Sequence, residues 1–413
     1  MLKIAMLSTG EEVLHGDIVD TNAAWLGQEC FRHGFALCKR STVGDAKQAL
    51  VEELTMLAFN CDVVIVNGGL GPTTDDLSAE AAADAASLPL VLFESWVETM
   101  RHYFNSRHKT MPQSNIKQAM LPEGAQIIPN PIGTACGFKM KIHDCWFYFT
   151  PGVPSEFKRM VEEQIIPDLH VMYPDQAGQE CSYFYTFGSS ESGLSDRLDK
   201  LQLPQGYSLG YRSYLPFIEV KLFGPKGDNE RRLKVAKLIF QHIEPYTVSI
   251  DQPMLDHLGQ LVASKGLRLS IAEQSTKGWL SHWLMSNPEI ESRSGHNWIL
   301  SHDVEADLGE SDGLAPVFAL AGATRDKCGT ELALVTGPLS EEGQFSIALS
   351  APEGEWGQIF RFTRQYSADD QKMLIGTLLS DMLRRYLSGK PVLTQCGGAE
   401  EVKALFIPAS ELV

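Results

Sequence analysis

Residues 63–76 read VVIVNGGLGPTTDD, an apolar run that breaks into glycines and then into two adjacent carboxylates. Val63, Val64, Ile65 and Val66 form a continuous apolar run, the pattern of a parallel strand buried on both faces. Gly68, Gly69 and Gly71 allow a sharp turn in which backbone N–H groups approach a ligand without interference from a Cβ. Thr73 or Thr74 is placed to cap a helix that starts at Leu77 and runs through SAEAAADAA. Strand, glycine turn and helix N-terminus together make a place for phosphate. Asp75 and Asp76 sharpen this. Beside an anion they repel the ligand unless a divalent cation lies between, or unless they face a neutral sugar or base. Their plainer role is that of first-turn acids favoured by the helix macrodipole.

The chain before this stretch alternates strand and helix. Ile4 to Leu7 is a strand leading into STGEEVLHGDIVDTN (8–22), where Asp20, Thr21 or Asn22 caps a helix that Gly34 stops. Phe35 to Cys38 makes a second strand, and Asp45 opens a helix with Leu50, Leu54 and Leu57 on one face. Such alternation implies a parallel sheet with helices on both faces, with ligands at the carboxyl ends of the strands. Glu11, Glu12, Asp17, Asp20 and Asn22 follow the first strand's end and so share a crevice with the glycine loop. Acids this dense form either a site for a cation and hydroxyls or a solvated loop.

Residues 95–120 read as a helical insertion, with a helix from Trp96 to Arg107. NPIGTACGF (130–138) is a small-residue turn, and the strand Cys145–Phe149 ends in TPGVPSEF (150–157), where Ser155 is placed to cap a helix over Lys158 to Ile166. Three glycine-bearing loops thus converge on one face of one sheet.

At 413 residues the chain is long enough for two or three domains, and 44% hydrophobic residues supply their cores. A net charge of -17 argues against a general nucleic-acid or anionic-membrane surface and for a small-molecule partner. Eight cysteines are scattered without CxxC spacing, as for reduced thiols rather than a disulfide frame or a zinc site. The opening MLKIAML has no basic region or long apolar core, and no run approaches a membrane span. These features imply a cytoplasmic protein.

The motifs STGEEVLHGDIVDTN, GGLGPTTDD, NPIGTACGF and TPGVPSEF resemble, in this order, the amino-terminal domain of the CinA family, which belongs to the molybdopterin-binding superfamily. The resemblance covers residues 1–170 and implies a three-layer α/β domain, a homodimer, and a metal-dependent ADP-ribose pyrophosphatase activity. The molybdopterin-handling branches carry an arginine-bearing glycine loop suited to an anionic pterin. Here Asp75 and Asp76 stand in that loop, which favours an ion-assisted attack of water on a diphosphate. The implied site has Asp75 and Asp76 as catalytic and metal-holding residues. Glu12, Asp20 and Asn22 would bind the ribose or a second cation, and amides near Gly69, Gly71, Gly133 and Thr134 the diphosphate. Thr73, Asn130, Pro151, Gly152 and Glu156 complete the binding set. A divalent metal ion, with a monovalent cation as an optional companion, is the implied cofactor. The alternative is a protein that binds a nucleotide or pterin in the same crevice without turnover.

Residues 177–248 read as a small α+β unit similar to the KH-like linker domain of full-length relatives, but without a GxxG loop flanked by basic residues. Residues 252–390 resemble the α/β carboxy-terminal domain that deamidates nicotinamide mononucleotide in active relatives, with 391–413 as a tail. Active forms carry AESCTGG with the serine as nucleophile. This chain reads AEQSTKG, so Gln274 stands in place of the serine, Ser275 follows it, and Lys277 replaces a glycine. A carboxamide is no such nucleophile, and the deamidase role is read as lost.

Overall fold

The computed structural model describes residues 2–176, 178–301 and 313–412, and the chain falls into two compact units, Met1–Glu180 and Cys181–Val413. Ala177, where the middle domain was expected to begin, lies outside the described residues.

In the first unit the strands are β1 (Ile4–Thr9), β2 (Leu37–Val43), β3 (Val63–Asn67), β4 (Leu90–Leu92), β5 (Met120–Pro122), β6 (Gln126–Ile128), β7 (Gly137–Ile142) and β8 (Cys145–Thr150). Six of them form one sheet in the order β2-β1-β3-β8-β7-β6, while β4 and β5 pair separately. β1, β2, β3 and β8 run parallel, and β7 and β6 close the edge antiparallel. All five residues of β3 are buried, because parallel partners flank it and helices cover both faces. The alternation is plain in the cores. Val64 and Val66 join Ala5 and Leu7 against Leu50, Leu54 and Leu57 of the helix Lys47–Asn60. Val63 and Ile65 join Ile4 and Met6 against Leu26 of the helix Thr21–Arg32 and Phe157. Burying a side chain of this size contributes about 1.5–3 kcal/mol each, so this central strand holds the two helical layers together.

Several local expectations are corrected. β2 runs from Leu37 to Val43 rather than Phe35 to Cys38; Phe35 is a buried core residue before the strand. The helix Ser78–Ala86 has Leu77 at its N-cap with no side-chain cap, since Thr73 bonds Asp76 and Ser78 Oγ donates to the Gly68 carbonyl at 2.8 Å. Asp45 does not cap the helix Lys47–Asn60; its Oδ2 accepts from the Glu11 amide at 3.1 Å. Ser155 does not cap either, because the helix begins at Pro154, whose fixed φ suits the first turn. Asp20 caps Thr21–Arg32 as expected, with Ala23 N donating to its Oδ1 at 2.8 Å.

The second unit holds two sheets. β9 (Gln179–Thr186), β10 (Ser208–Tyr214), β11 (Phe217–Pro225) and β12 (Thr247–Ile250) form a four-stranded sheet in the order β10-β11-β9-β12. Its helices Glu191–Leu198 and Asn229–Ile243 supply Leu194, Leu198, Val235 and Ile239 to a shared core with Phe184. β13 (Leu269–Glu273), β14 (Ser294–Ile299), β15 (Leu332–Leu339), β16 (Gln344–Ala351), β17 (Gly354–Phe362) and β18 (Ala399–Pro408) form the other in the order β14-β13-β15-β16-β17-β18. The segment read as a tail therefore contains the edge strand β18, antiparallel to β17 from Gly354↔Pro408 to Phe362↔Ala399. Its side chains are mostly exposed, so the apolar signal of a strand is weak there. The segment leading to it is fastened by buried Asp381, which accepts from Thr394 Oγ1 at 2.6 Å and pairs with Arg384 at 2.7 Å. Among the described residues no helix is long and apolar enough to cross a membrane.

Candidate active site

β1, β3 and β8 are parallel, so their carboxyl ends, Thr9, Asn67 and Thr150, lie side by side. The loops that leave them enclose a cleft of about 500 Å³ in the first unit. Of the residues expected there, Glu12, Asp20 and Asn22 line it from the first loop, and Gly69, Gly71, Asp75 and Asp76 from the glycine loop. Thr134, Pro151, Gly152 and Glu156 line the other side. Thr73, Asn130 and Gly133 are not part of the lining. Asn130 shapes its loop from behind. Its Oδ1 accepts from Ile132 N and Gly133 N at 3.2 and 3.0 Å, and its Nδ2 donates to Ala135 O and Glu156 Oε2 at 2.8 and 2.7 Å. The Gly133 amide is thus already engaged.

Two glycines are required by shape. Gly69 has φ of +67°, and a Cβ on it would lie 2.3 Å from Ser78 Oγ. Gly68, at φ +111°, sits against the Thr9 carbonyl and hydroxyl.

The two aspartates are not equivalent. Asp76 Oδ2 accepts from the Thr73 amide at 2.9 Å and from the Thr73 hydroxyl, so this carboxylate closes the loop. Asp75 is exposed on the cleft. The Thr73 hydroxyl and its own main-chain amide hold its carboxyl below the usual range, with burial opposing them and the Lys117 ammonium adding the least. Lys117 also donates to the Thr73 carbonyl at 2.6 Å, tying the loop to the 3₁₀ turn Gln113–Ala119.

Sequence reasoning missed Asp45 and Asn67. Asp45 follows the carboxyl end of β2, where the crevice rule that singled out Glu12 applies equally, but it was assigned to a helix cap. Burial pushes its carboxyl up; the Glu11 amide lowers it, and the charges of Glu12, Asp75 and Glu11 raise it again. Glu12, Asp45 and Asp75 thus line the cleft together, while the Glu11 carboxylate accepts from the Asp45 amide at 3.2 Å. Asn67, the last residue of β3, joins three loops: its Nδ2 donates to Pro151 O at 2.6 Å and its Oδ1 accepts from Asn22 Nδ2 at 2.9 Å. Asn22 Nδ2 also reaches Gly152 O at 2.8 Å. Both amides of Asn22 and Asn67 are oriented by these acceptors, which leaves Asn22 Oδ1 buried without a donor among the described residues. Such an atom is costly unless a ligand donates to it. Asp20 is occupied, accepting from Ser8 Oγ at 2.6 Å as well as capping its helix.

The donor set bears on the implied metal. Among the described residues no three His, Cys, Asp or Glu side chains form a group able to hold a metal ion. A caged ion does not fit. An Mg²⁺-like ion carried in on a diphosphate does fit, since such ions use one or two carboxylates with substrate oxygens and water, and Asp75 with Glu12 or Asp45 supplies these.

In the second unit the AEQSTKG turn follows β13. Glu273 is buried and accepts from Gly278 N, Leu280 N and Ser281 N at 2.9, 3.1 and 2.7 Å, holding the start of the helix Trp279–Met285. Gln274 N bonds Thr336 O at 3.0 Å. Ser275 Oγ is buried without a hydrogen-bond partner among the described residues. Lys277 keeps the left-handed backbone that suits the family's glycine, at φ +51°.

Residues 5–171 match the family model described as "Probable molybdopterin binding domain". The chain is 40% identical over 415 residues to the "CinA-like protein" of Escherichia coli O9:H4 (strain HS), covering 98% of this chain and 99% of that protein. It belongs to the CinA-like protein family. The "NMN amidohydrolase-like protein YfaY" of Escherichia coli (strain K12) is likewise 40% identical, with the same 98% and 99% coverage. Among solved structures, the CinA protein from Thermoplasma acidophilum, titled as of unknown function, is 27% identical, covers 40% of this chain and 97% of that one, and has a TM-score of 0.37. This CinA-like chain thus joins a molybdopterin-binding-like first domain to further α/β sheets in its second half.

Proposed function

We propose that the first unit of this CinA-like chain hydrolyses a nucleoside diphosphate sugar of the ADP-ribose type to a nucleoside monophosphate and a sugar phosphate, with a divalent ion. The observation that carries this is that Glu12, Asp45 and Asp75 line one cleft beside the glycine turn, where burial and then the charges of Glu12, Asp75 and Glu11 push the Asp45 carboxyl up. A divalent ion there supplies charge neutralisation and activation of water. Asp75 and either Glu12 or Asp45 would hold it. Asp76 keeps the loop closed through Thr73. Amides of Gly69, Gly71 and Thr134 are the donors for the diphosphate, and Asn22 Oδ1 accepts a sugar hydroxyl. A pterin-phosphate ligand fits less well, because this end of the cleft offers carboxylates and no arginine. The test incubates chelator-treated protein with ADP-ribose and Mg²⁺, Mn²⁺ or Co²⁺. AMP and ribose 5-phosphate are the expected products; a thermal shift with no products would mark a binder.

For the second unit we infer that deamidation of nicotinamide mononucleotide is lost. Gln274 offers no nucleophile, and Ser275 Oγ has no base within hydrogen-bond reach among the described residues. Ammonia release from the mononucleotide at an enzymatic rate would overturn this.

A further inference from the structure

We propose that His33 and His170 form a binding site, separate from the cleft, for a borderline divalent ion of the Zn²⁺, Ni²⁺ or Cu²⁺ class. His33 Nδ1 and His170 Nε2 stand 3.3 Å apart. That is long for a hydrogen bond between nitrogens. It matches the separation of about 3.3 Å that two imidazole nitrogens take on a tetrahedral ion at about 2.0–2.1 Å from each. Glu29 Oε1 lies 3.1 Å from the other ring nitrogen of His33, Nε2. A carboxylate there fixes the proton on Nε2 and turns the Nδ1 lone pair towards His170, the arrangement that orients metal-binding histidines.

Two backbone features favour a cation at this point. His33 is the C-cap of the helix Thr21–Arg32, and His170 lies in the last turn of Ile166–Met172, so two negative helix ends converge on the pair. The neighbouring cation, Arg32, is drawn to the far oxygen of Glu29, Oε2, at 3.1 Å and is 65% exposed. Phe35, with its ring centroid 4.7 Å from that of His170, backs the site from the core. His33 is 31% exposed, so an ion and its water can enter. The protein gives two nitrogen donors and water gives the rest. Nitrogen donors select against Mg²⁺, which prefers oxygen. The site lies at the opposite end of the helix from Asp20 and Asn22, about 18 Å away at 1.5 Å per residue, so its ion does not touch the cleft's substrate.

The full-length protein, stripped with chelator and kept reduced, is dialysed against ZnCl₂ and, separately, NiCl₂. Wild type and Cys38→Ser, which removes an exposed thiol, should take up one equivalent that His33→Gln and His170→Gln lack. Glu29→Gln should bind it about 10–100-fold more weakly. Zn²⁺ should raise the Tm of wild type and not of His170→Gln, with hydrolysis of ADP-ribose in Mg²⁺ equal in both. Uptake unchanged in the histidine variants, or no uptake by wild type, would overturn the proposal; the pair would then share only a proton.

Discussion

Asp75 and Asp76 are neighbours in sequence with separate tasks, and substitution should divide them. Asp75→Asn keeps an acceptor oxygen for the Thr73 hydroxyl and the main-chain amide that hold this exposed carboxyl low, so Tm should change little while hydrolysis falls about a hundredfold or more. Asp76→Ala removes the acceptor of two Thr73 bonds in a half-buried place. It should cost about 1 kcal/mol, read as a Tm lowered by about 3 °C, with a smaller rate loss. The pair was legible from its position after a glycine turn. The division of labour was not, because it depends on which carboxylate the Thr73 amide meets. Asp45 offers a pH test. Its carboxyl is raised, so the folded state binds its proton more tightly than the unfolded chain does. The stability this gives is full below the ordinary aspartate range and lost as pH rises through the raised value. Asp45→Asn should therefore match wild type in Tm at the acid end and exceed it near neutrality. Added Mg²⁺ should narrow that gap by neutralising the acids around it.

The strand β3 was readable because a continuous β-branched run, buried on both sides, has few other fates. Its glycine turn was readable for the same local reason. The Asp20 cap of Thr21–Arg32 was readable too, but other helix starts were not. Thr73, Asp45 and Ser155 all have capping chemistry, yet their side chains or their neighbours found partners across the loops, and the first turns began elsewhere. β18 escaped notice because its face is largely open to water and its pairing with β17 is long-range. For the glycine loop the consequence is testable by Gly69→Ala. Its left-handed φ and the Ser78 hydroxyl both oppose a methyl group, and a strain of about 1–3 kcal/mol is expected. Denaturant unfolding should show that loss, and ADP-ribose turnover should fall with it. Full stability in Gly69→Ala would mean the turn tolerates a different path.

Two compact units divide the chain, and every residue of the cleft belongs to the first. A fragment of residues 1–180 should hence retain the full protein's kcat/KM for ADP-ribose within about twofold, a statement checked by comparing the two at equal ion concentration. The three-layer character of this unit was legible from alternating strand and helix signals. That the four- and six-stranded sheets lie in one compact unit was not, since nothing local in residues 177–390 encodes how their cores are shared. Family membership covers nearly the whole length, but the chemistry rests on one end of one cleft. The decisive measurement is product analysis of ADP-ribose incubated with chelator-treated protein, with and without restored divalent ion, beside Asp75→Asn. AMP and ribose 5-phosphate in equal amounts, formed only with the ion and nearly abolished in Asp75→Asn, are expected. Intact ADP-ribose in every tube, or equal turnover by Asp75→Asn, would contradict the role given to the acids of the cleft.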